Sequence, residues 1–341
     1  MSSAFEILPV TRVPLPAPFA RVKAFADLVA PLVAVALVLL TPVPATSQAL
    51  PFHAPTGITA GFNENAARHF VTVLGRSGLV RDGETIADPM ERDVSGLAVV
   101  NGAILGGFTP LWTFRVIVPW VRKTLDLTAP EGRRASFETS GVGDAFAQTK
   151  WIFYRNDRPG ATTRLGIQGR LKLPLGSTDA HLPSGEVAPR PLQVGTGSWD
   201  FEPTLLLTAT TPGRWGLHGD AGWRFNGRDE GFAAGDLFLY DLALGFRLHP
   251  EVFRSMSDQT VVAYLELNGE VAGRDEVGGA ENPDSGGQVL FLSPDLQWVV
   301  TPWLLFEASV QVPVVQDLNG SQLEHETRFQ LGTRYRFSVF R

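Results

Sequence analysis

The stretch TRLGIQGRLKLPL, residues 163–175, decides the fold class. Leu165, Ile167, Leu171, Leu173 and Leu175 alternate with Arg164, Gln168, Arg170 and Lys172. Successive side chains of a strand point to opposite faces, so this segment has one greasy and one charged surface. If the greasy face meets hydrocarbon, a one-residue slip turns Arg164, Arg170 and Lys172 to lipid. Each costs roughly 2–4 kcal/mol at mid-bilayer, and three such penalties rival the whole stability of a typical domain. The register is therefore set by charge, and the charges belong inside.

The same period recurs. In residues 198–210 the faces are Trp199, Phe201, Leu205, Leu207 against Asp200, Glu202, Thr204, Thr208. In 214–226 they are Trp215, Leu217, Trp223, Phe225 against Arg214, His218, Asp220, Arg224. Twelve runs read this way: 66–76, 95–107, 111–121, 142–155, 163–174, 198–210, 214–226, 236–248, 259–271, 288–300, 303–314 and 325–340. Long connections (77–94, 122–141, 175–197, 227–235, 272–287, 315–324) alternate with short ones (108–110, 156–162, 211–213, 249–258, 301–302). That rhythm predicts a 12-stranded antiparallel up-and-down transmembrane β-barrel with short periplasmic turns and longer external loops. Three short turns place Trp after Thr-Pro: Thr109-Pro110, Thr211-Pro212 and Thr301-Pro302. The expected aromatic girdle is Trp112, Trp120, Trp151, Trp199, Trp215, Trp223, Trp298, Trp303 and Phe337. A soluble sandwich or lipocalin-like barrel also alternates. However, runs of 11 to 16 residues exceed the usual five or six and cover what a tilted membrane strand requires.

Composition is compatible. Of 341 residues, 44% are hydrophobic and 19% charged, below the roughly 25% charge usual in soluble domains. Net charge is −6, which offers no basic surface for nucleic acid. Cysteine is absent, which excludes disulfides, thiolate metal sites and Cys nucleophiles. The one long apolar run, Leu28 to Leu40, has 13 residues, Arg21 and Lys23 before it and PATSQA after it. It is too short to span and reads as a secretory signal, residues 1–49, cut after Ser47 or Ala49. Residues 50–65 are then expected as an N-terminal periplasmic segment and 66–341 as the barrel. With no second hydrophobic segment, a spanning mature chain must be a closed barrel.

The expected lumen-lining residues carry both signs on neighbouring strands. They are Lys150, Arg164, Gln168, Arg170, Lys172, Asp200, Glu202, His218, Asp220, Arg224, Asp241, Arg247, Glu266, Glu270, Asp295, Glu307, Arg328, Arg334 and Arg336. Cross-strand ion pairs that stiffen the barrel and a charged constriction that selects solutes are both open readings. Twelve strands lie between eight-stranded filled barrels and 16–18-stranded porins. A lipid hydrolase is the enzyme alternative, with His218, Ser198 and Asp220 as its closest approach to a triad. No G-x-S-x-G, H-E-x-x-H or P-loop motif occurs, and no cofactor or metal is called for. The acidic loop 273–287 reads as a solvated turn.

Residues 141–155, GVGDAFAQTKWIFYR, resemble the outer-membrane barrels of the MetA pathway of phenol degradation family. Its recurrent pieces match Gly141, Gly143, Asp144 and Lys150, then Lys172-Leu173-Pro174-Leu175-Gly176, then Gly197, Ser198, Asp200 and Pro203. The resemblance covers about residues 66–340. It implies a channel-like barrel in the bacterial outer membrane for small solutes, hydrophobic or aromatic compounds among them. Expected partners are outer-membrane lipids, the solute and the barrel-assembly machinery. That machinery reads a terminal aromatic, and here Phe340 is followed by Arg341. A closed structural or adhesive barrel that binds through its loops is the other non-enzymatic reading.

Overall fold

A computed structural model describes residues 49–60, 64–106, 109–128, 132–182, 184–252, 254–255 and 258–338. The expected export signal falls on residues outside these, apart from Ala49, as does the Phe340–Arg341 end. Among the described residues, twelve strands follow one another antiparallel around a ring. They are β1 Asn65–Arg81, β2 Asp93–Gly106, β3 Trp112–Thr128, β4 Ala145–Arg158, β5 Ala161–Leu173 and β6 Asp200–Thr210. The second half is β7 Trp215–Arg224, β8 Leu237–His249, β9 Thr260–Ala272, β10 Gly287–Thr301, β11 Leu304–Leu318 and β12 Arg328–Phe337. The ring closes where β1 pairs with both β2 and β12, Phe70 standing opposite Val100 on one side and Gly332 on the other. Closure removes the sheet edges, which is what lets strands cross lipid.

Facing follows the alternation. Leu165, Ile167 and Leu171 of β5 are exposed on the outside, as are Phe201 and Leu205 of β6. Gln168, Lys172, Asp200, Glu202, Thr204 and Thr208 of the same strands are buried within. The tryptophans expected in the girdle stand at two levels. Trp112 and Trp120 are eight residues apart on β3, as are Trp215 and Trp223 on β7. Eight residues rise about 27 Å along a strand, or about 20 Å along the axis at a tilt near 40°, somewhat less than the roughly 25 Å of an apolar band. Trp112 stacks on Trp151 at 5.9 Å and Trp303 meets Tyr335 edge-on at 5.5 Å, both at the turn end. An arginine on this outer face tests the assignment: Leu205→Arg, at the middle of β6, is expected to destabilise the folded barrel by about 2–4 kcal/mol. Urea unfolding in lipid vesicles reads this, and a neutral result would place that face away from hydrocarbon.

At the loop end several strands outrun the expected spans. β3 continues to Thr128 and pairs with Arg134–Val142 in a raised hairpin. The acidic loop is ordered too: Glu276–Val277 and Ala280–Glu281 join Arg228–Asp229 and Phe232–Ala233 in a small four-stranded sheet.

The segment expected in the periplasm, 50–65, departs from that reading. Asn65 already belongs to β1, and residues 49–60 run inside the barrel, with Phe52, Ala54 and Thr56 buried. The reason is electrostatic and steric together. The wall presents carboxylates and cations that a peptide backbone can satisfy, and Ala49 and Ala54 pack on Ala243, Val262 and Tyr264.

Candidate functional site

The inner wall is built strand by strand from the charged positions of the alternating runs. Lys150, Arg164, Gln168, Arg170, Glu202, Asp220, Arg224, Asp241, Glu270, Arg328, Arg334 and Arg336 line one cavity of about 650 Å³, together with residues of the strap 49–60. Lys172, Asp200, His218, Glu266, Asp295 and Glu307 are buried on the same inner face. Arg247 lies apart at the turn end, where it donates to the carbonyls of Pro250 and Gly213 at 3.0 and 3.2 Å.

Charge is not evenly mixed. On one side Arg68 and Arg334 share the buried Glu307, at 2.5 and 3.3 Å. Arg170 and Arg224 share Glu202, while Arg164 pairs with Asp157 at 3.0 Å. Each shared carboxylate leaves one positive charge in excess. Lys150 and Arg115 add two more, neither in an ion pair among the described residues. On the other side Asp220, Asp241, Glu266 and Asp295 stand on four successive strands, β7 to β10. Among the described residues none of these four is in an ion pair either. The lumen is therefore polarised across its width.

The strap spans that polarity. Glu266 accepts backbone N–H groups from Phe52 (2.7 Å), His53 (3.1 Å) and Ala54 (2.8 Å), and Asp295 accepts from Phe52 at 3.2 Å. On the cationic side Arg68 donates to the carbonyl of Phe52 at 3.0 Å. Lys150 donates to those of Thr56 and Ile58 at 2.6 and 2.8 Å. The N–H groups of Phe52, His53 and Ala54 face the acids, those of Gly57 and Ala60 face the hydroxyls of Thr208 and Thr113, and the carbonyls of Phe52, Thr56 and Ile58 face the bases. Burial pushes the His53 imidazole down to about 4, so at neutral pH the ring is uncharged, its Nε2 3.0 Å from Ser309 Oγ. Tyr264 lies against Gly245, where an added Cβ would come within 2.4 Å of the ring; its hydroxyl donates to Ala49 O at 3.0 Å. Among the described residues no backbone-to-backbone hydrogen bond ties the strap to the wall. Only side chains hold it.

A second cluster sits at the loop end. Asp144 accepts from Gly176 N (3.0 Å), Thr196 N (2.9 Å) and Thr196 Oγ1 (2.7 Å). Lys172 lies 3.9 Å from Asp144 and pairs closely with Asp200. Gly176 and Gly195 approach so nearly that a Cβ on Gly176 would stand 2.6 Å from Gly195 Cα. These contacts tie the β5–β6 loop, 174–199, to the rim. The hydrolase constellation is not assembled: Ser198 Oγ donates to Asp200 at 3.0 Å, while His218 Nδ1 faces Thr208 Oγ1 at 3.0 Å towards the opposite end of β6.

Residues 95–315 match the family described as "Putative MetA-pathway of phenol degradation". The chain belongs to that family. The motif residues singled out in the sequence, Asp144, Lys172, Gly176, Ser198 and Asp200, come from three separated segments and meet in the loop-end cluster. They hold a loop rather than face the cavity; Lys150 alone among the motif's charged residues reaches the strap. The COG4313 outer membrane channel from Pseudomonas putida F1 shares the fold, with a TM-score of 0.65 at 13% identity over 85% of this chain and 100% of that one. A Pseudomonas aeruginosa FadL homologue aligns more loosely, with a TM-score of 0.38 at 10% identity over 87% of this chain and 99% of that one. No curated protein matches in sequence.

Two features escaped the sequence. The strap, LPFHAPTGITA, has no period and two prolines, which reads as an unpaired tail. Arg68 stands beside His69 and Arg115 between Phe114 and Val116, so neither announces its role. Strict parity along β1 and β3 was the available signal.

Proposed function

We propose that this family member is an outer-membrane channel for small solutes, with a lumen occluded by its own N-terminal strap. The observation that carries the reading is the way residues 49–60 are held. Every strap-to-wall hydrogen bond named above involves a wall side chain or a strap side chain, so the strap can leave the lumen without unpairing a strand. Signal cleavage after Ser47 or Ala49 would give it a free end inside the barrel. A permanently filled structural barrel has no need of a removable filling; its packing would come from the wall.

The solute is a polar-headed small molecule with an apolar body. Charged groups dominate the cavity wall, but Phe70, Val100, Ile104, Ile117 and Phe146 also line it. Selection by such a lumen rests on rings of charge at close quarters. Planar-bilayer recording of the purified protein tests the channel. Wild type is expected to open briefly and seldom. Glu266→Ala removes the acceptor of three strap N–H groups and is expected to lengthen the open time several-fold, each lost charge-assisted bond having weakened the latch. Silence from both proteins at every voltage would remove the channel reading.

A further inference from the structure

Among the described residues Arg115 is a lumen cation with neither a hydrogen-bond acceptor nor an ion-pair partner. Its Nε is buried without a hydrogen-bond partner, and the side chain lines the cavity. It lies over a bare stretch of wall, Nε 3.6 Å from where a Cβ on Gly102 would stand. A buried polar group left unpaired is costly, and an arginine kept so in a water-accessible cavity awaits an anion.

Its surroundings say which kind. Register places Ile104 of β2 opposite Arg115 on one side and Gln148 of β4 opposite on the other. Ile117 is the next inward residue of its own strand, and Phe146 and Lys150 flank Gln148 on β4. Lys150 is a second cation whose present acceptors are two strap carbonyls. Cationic excess nearby, from the doubly shared Glu307 and Glu202, raises the electrostatic potential and so lowers the energy of any anion arriving.

We propose that the lumen holds a binding site for small organic monoanions, a carboxylate on Arg115 with its apolar body against Ile104, Ile117 and Phe146, and Lys150 as second donor once the strap withdraws. The planar guanidinium matches a carboxylate bidentately. An inorganic anion would satisfy the charge but leave the apolar wall unused. This proposal names the solute class of the channel proposed above and rests on that reading for its role, though not for its binding.

The test is calorimetry on the purified full-length protein in detergent, with benzoate, the isosteric neutral benzamide, acetate and inorganic phosphate as probes. Benzoate is expected to bind about tenfold or more tightly than benzamide, as a charge-assisted pair is worth, and more tightly than acetate or phosphate. Arg115→Gln should lose that preference while benzamide binding stays unchanged, and Arg115→Lys should recover part of it. Equal affinity of wild type for benzoate and benzamide overturns the site without recourse to any variant. Equal affinity for benzoate and phosphate overturns the organic part. Bilayer recording of the same preparation separates the two readings: openings without calorimetric benzoate binding sink the site and leave the channel, whereas benzoate binding without openings supports the site and sinks the channel.

Discussion

Deleting residues 50–60 is expected to raise single-channel conductance at least about tenfold, because the strap occupies cross-section that a twelve-stranded ring, intermediate between filled barrels and open porins, has little of to spare. The argument turns on what the deletion leaves intact. All wall pairings persist, since no strand loses a ladder partner. Glu266, Asp295, Arg68 and Lys150 lose their backbone partners but gain water, which a lumen open to solvent supplies without the penalty of a dry interior. The barrel should therefore still run as a compact band on unheated gels, with its Trp rings at the interfaces. Adding the excised segment back as a soluble peptide should restore block in a concentration-dependent way, because its N–H and carbonyl groups would find the same acids and bases. If conductance is unchanged by the deletion, the solute path does not pass the strap and the occlusion model is wrong.

How much of this was legible in the residues alone depends on the size of the energies involved. Arg164, Arg170 and Lys172 alternate with leucines, and the cost of turning them to lipid is so large that their facing could be read directly. The same holds for Asp200 and Glu202 opposite Phe201 and Leu205. Twelve strands and their inward sets follow from that one rule applied repeatedly. Strand ends were less legible: β3 reaches Thr128 because its hairpin pairs beyond the membrane, where no hydrophobic rule operates. The strap was illegible for a different reason. Its acidic partners lie more than 200 residues away in sequence, Phe52 to Glu266 for example, and a peptide backbone carries no side-chain pattern that announces an appetite for carboxylates. Polarity across the lumen was hidden likewise. Facing assigns each charge to the inside, but only the register shows that Glu307 serves two arginines and Arg115 none.

Glu307→Ala is the substitution expected to cost most in stability. The carboxylate is fully enclosed, Oε1 2.5 Å from Arg68 Nε, Oε2 3.3 Å from both Arg334 Nη2 and Gln297 Nε2. Its removal leaves two guanidinium groups facing each other with no counter-ion, and breaking a buried pair in this way costs about 3–5 kcal/mol. Glu307→Gln keeps the shape and one acceptor but not the charge, so a smaller loss of the same sign is expected. The arrangement also bears on the strap, because Arg68 holds the Phe52 carbonyl only while Glu307 positions it; both variants should flicker open more often in bilayers than wild type. Replacing Arg68, Glu307 and Arg334 together by apolar residues of similar size should recover most of the stability, since the desolvation of all three charges is then avoided, yet leave the strap without its Phe52 anchor. Urea unfolding separates these outcomes. A loss below about 1 kcal/mol for Glu307→Ala, the range of exposed pairs, would mean that water reaches the cluster freely and that Glu307 is not the enclosed partner of Arg68 and Arg334 between β1, β11 and β12.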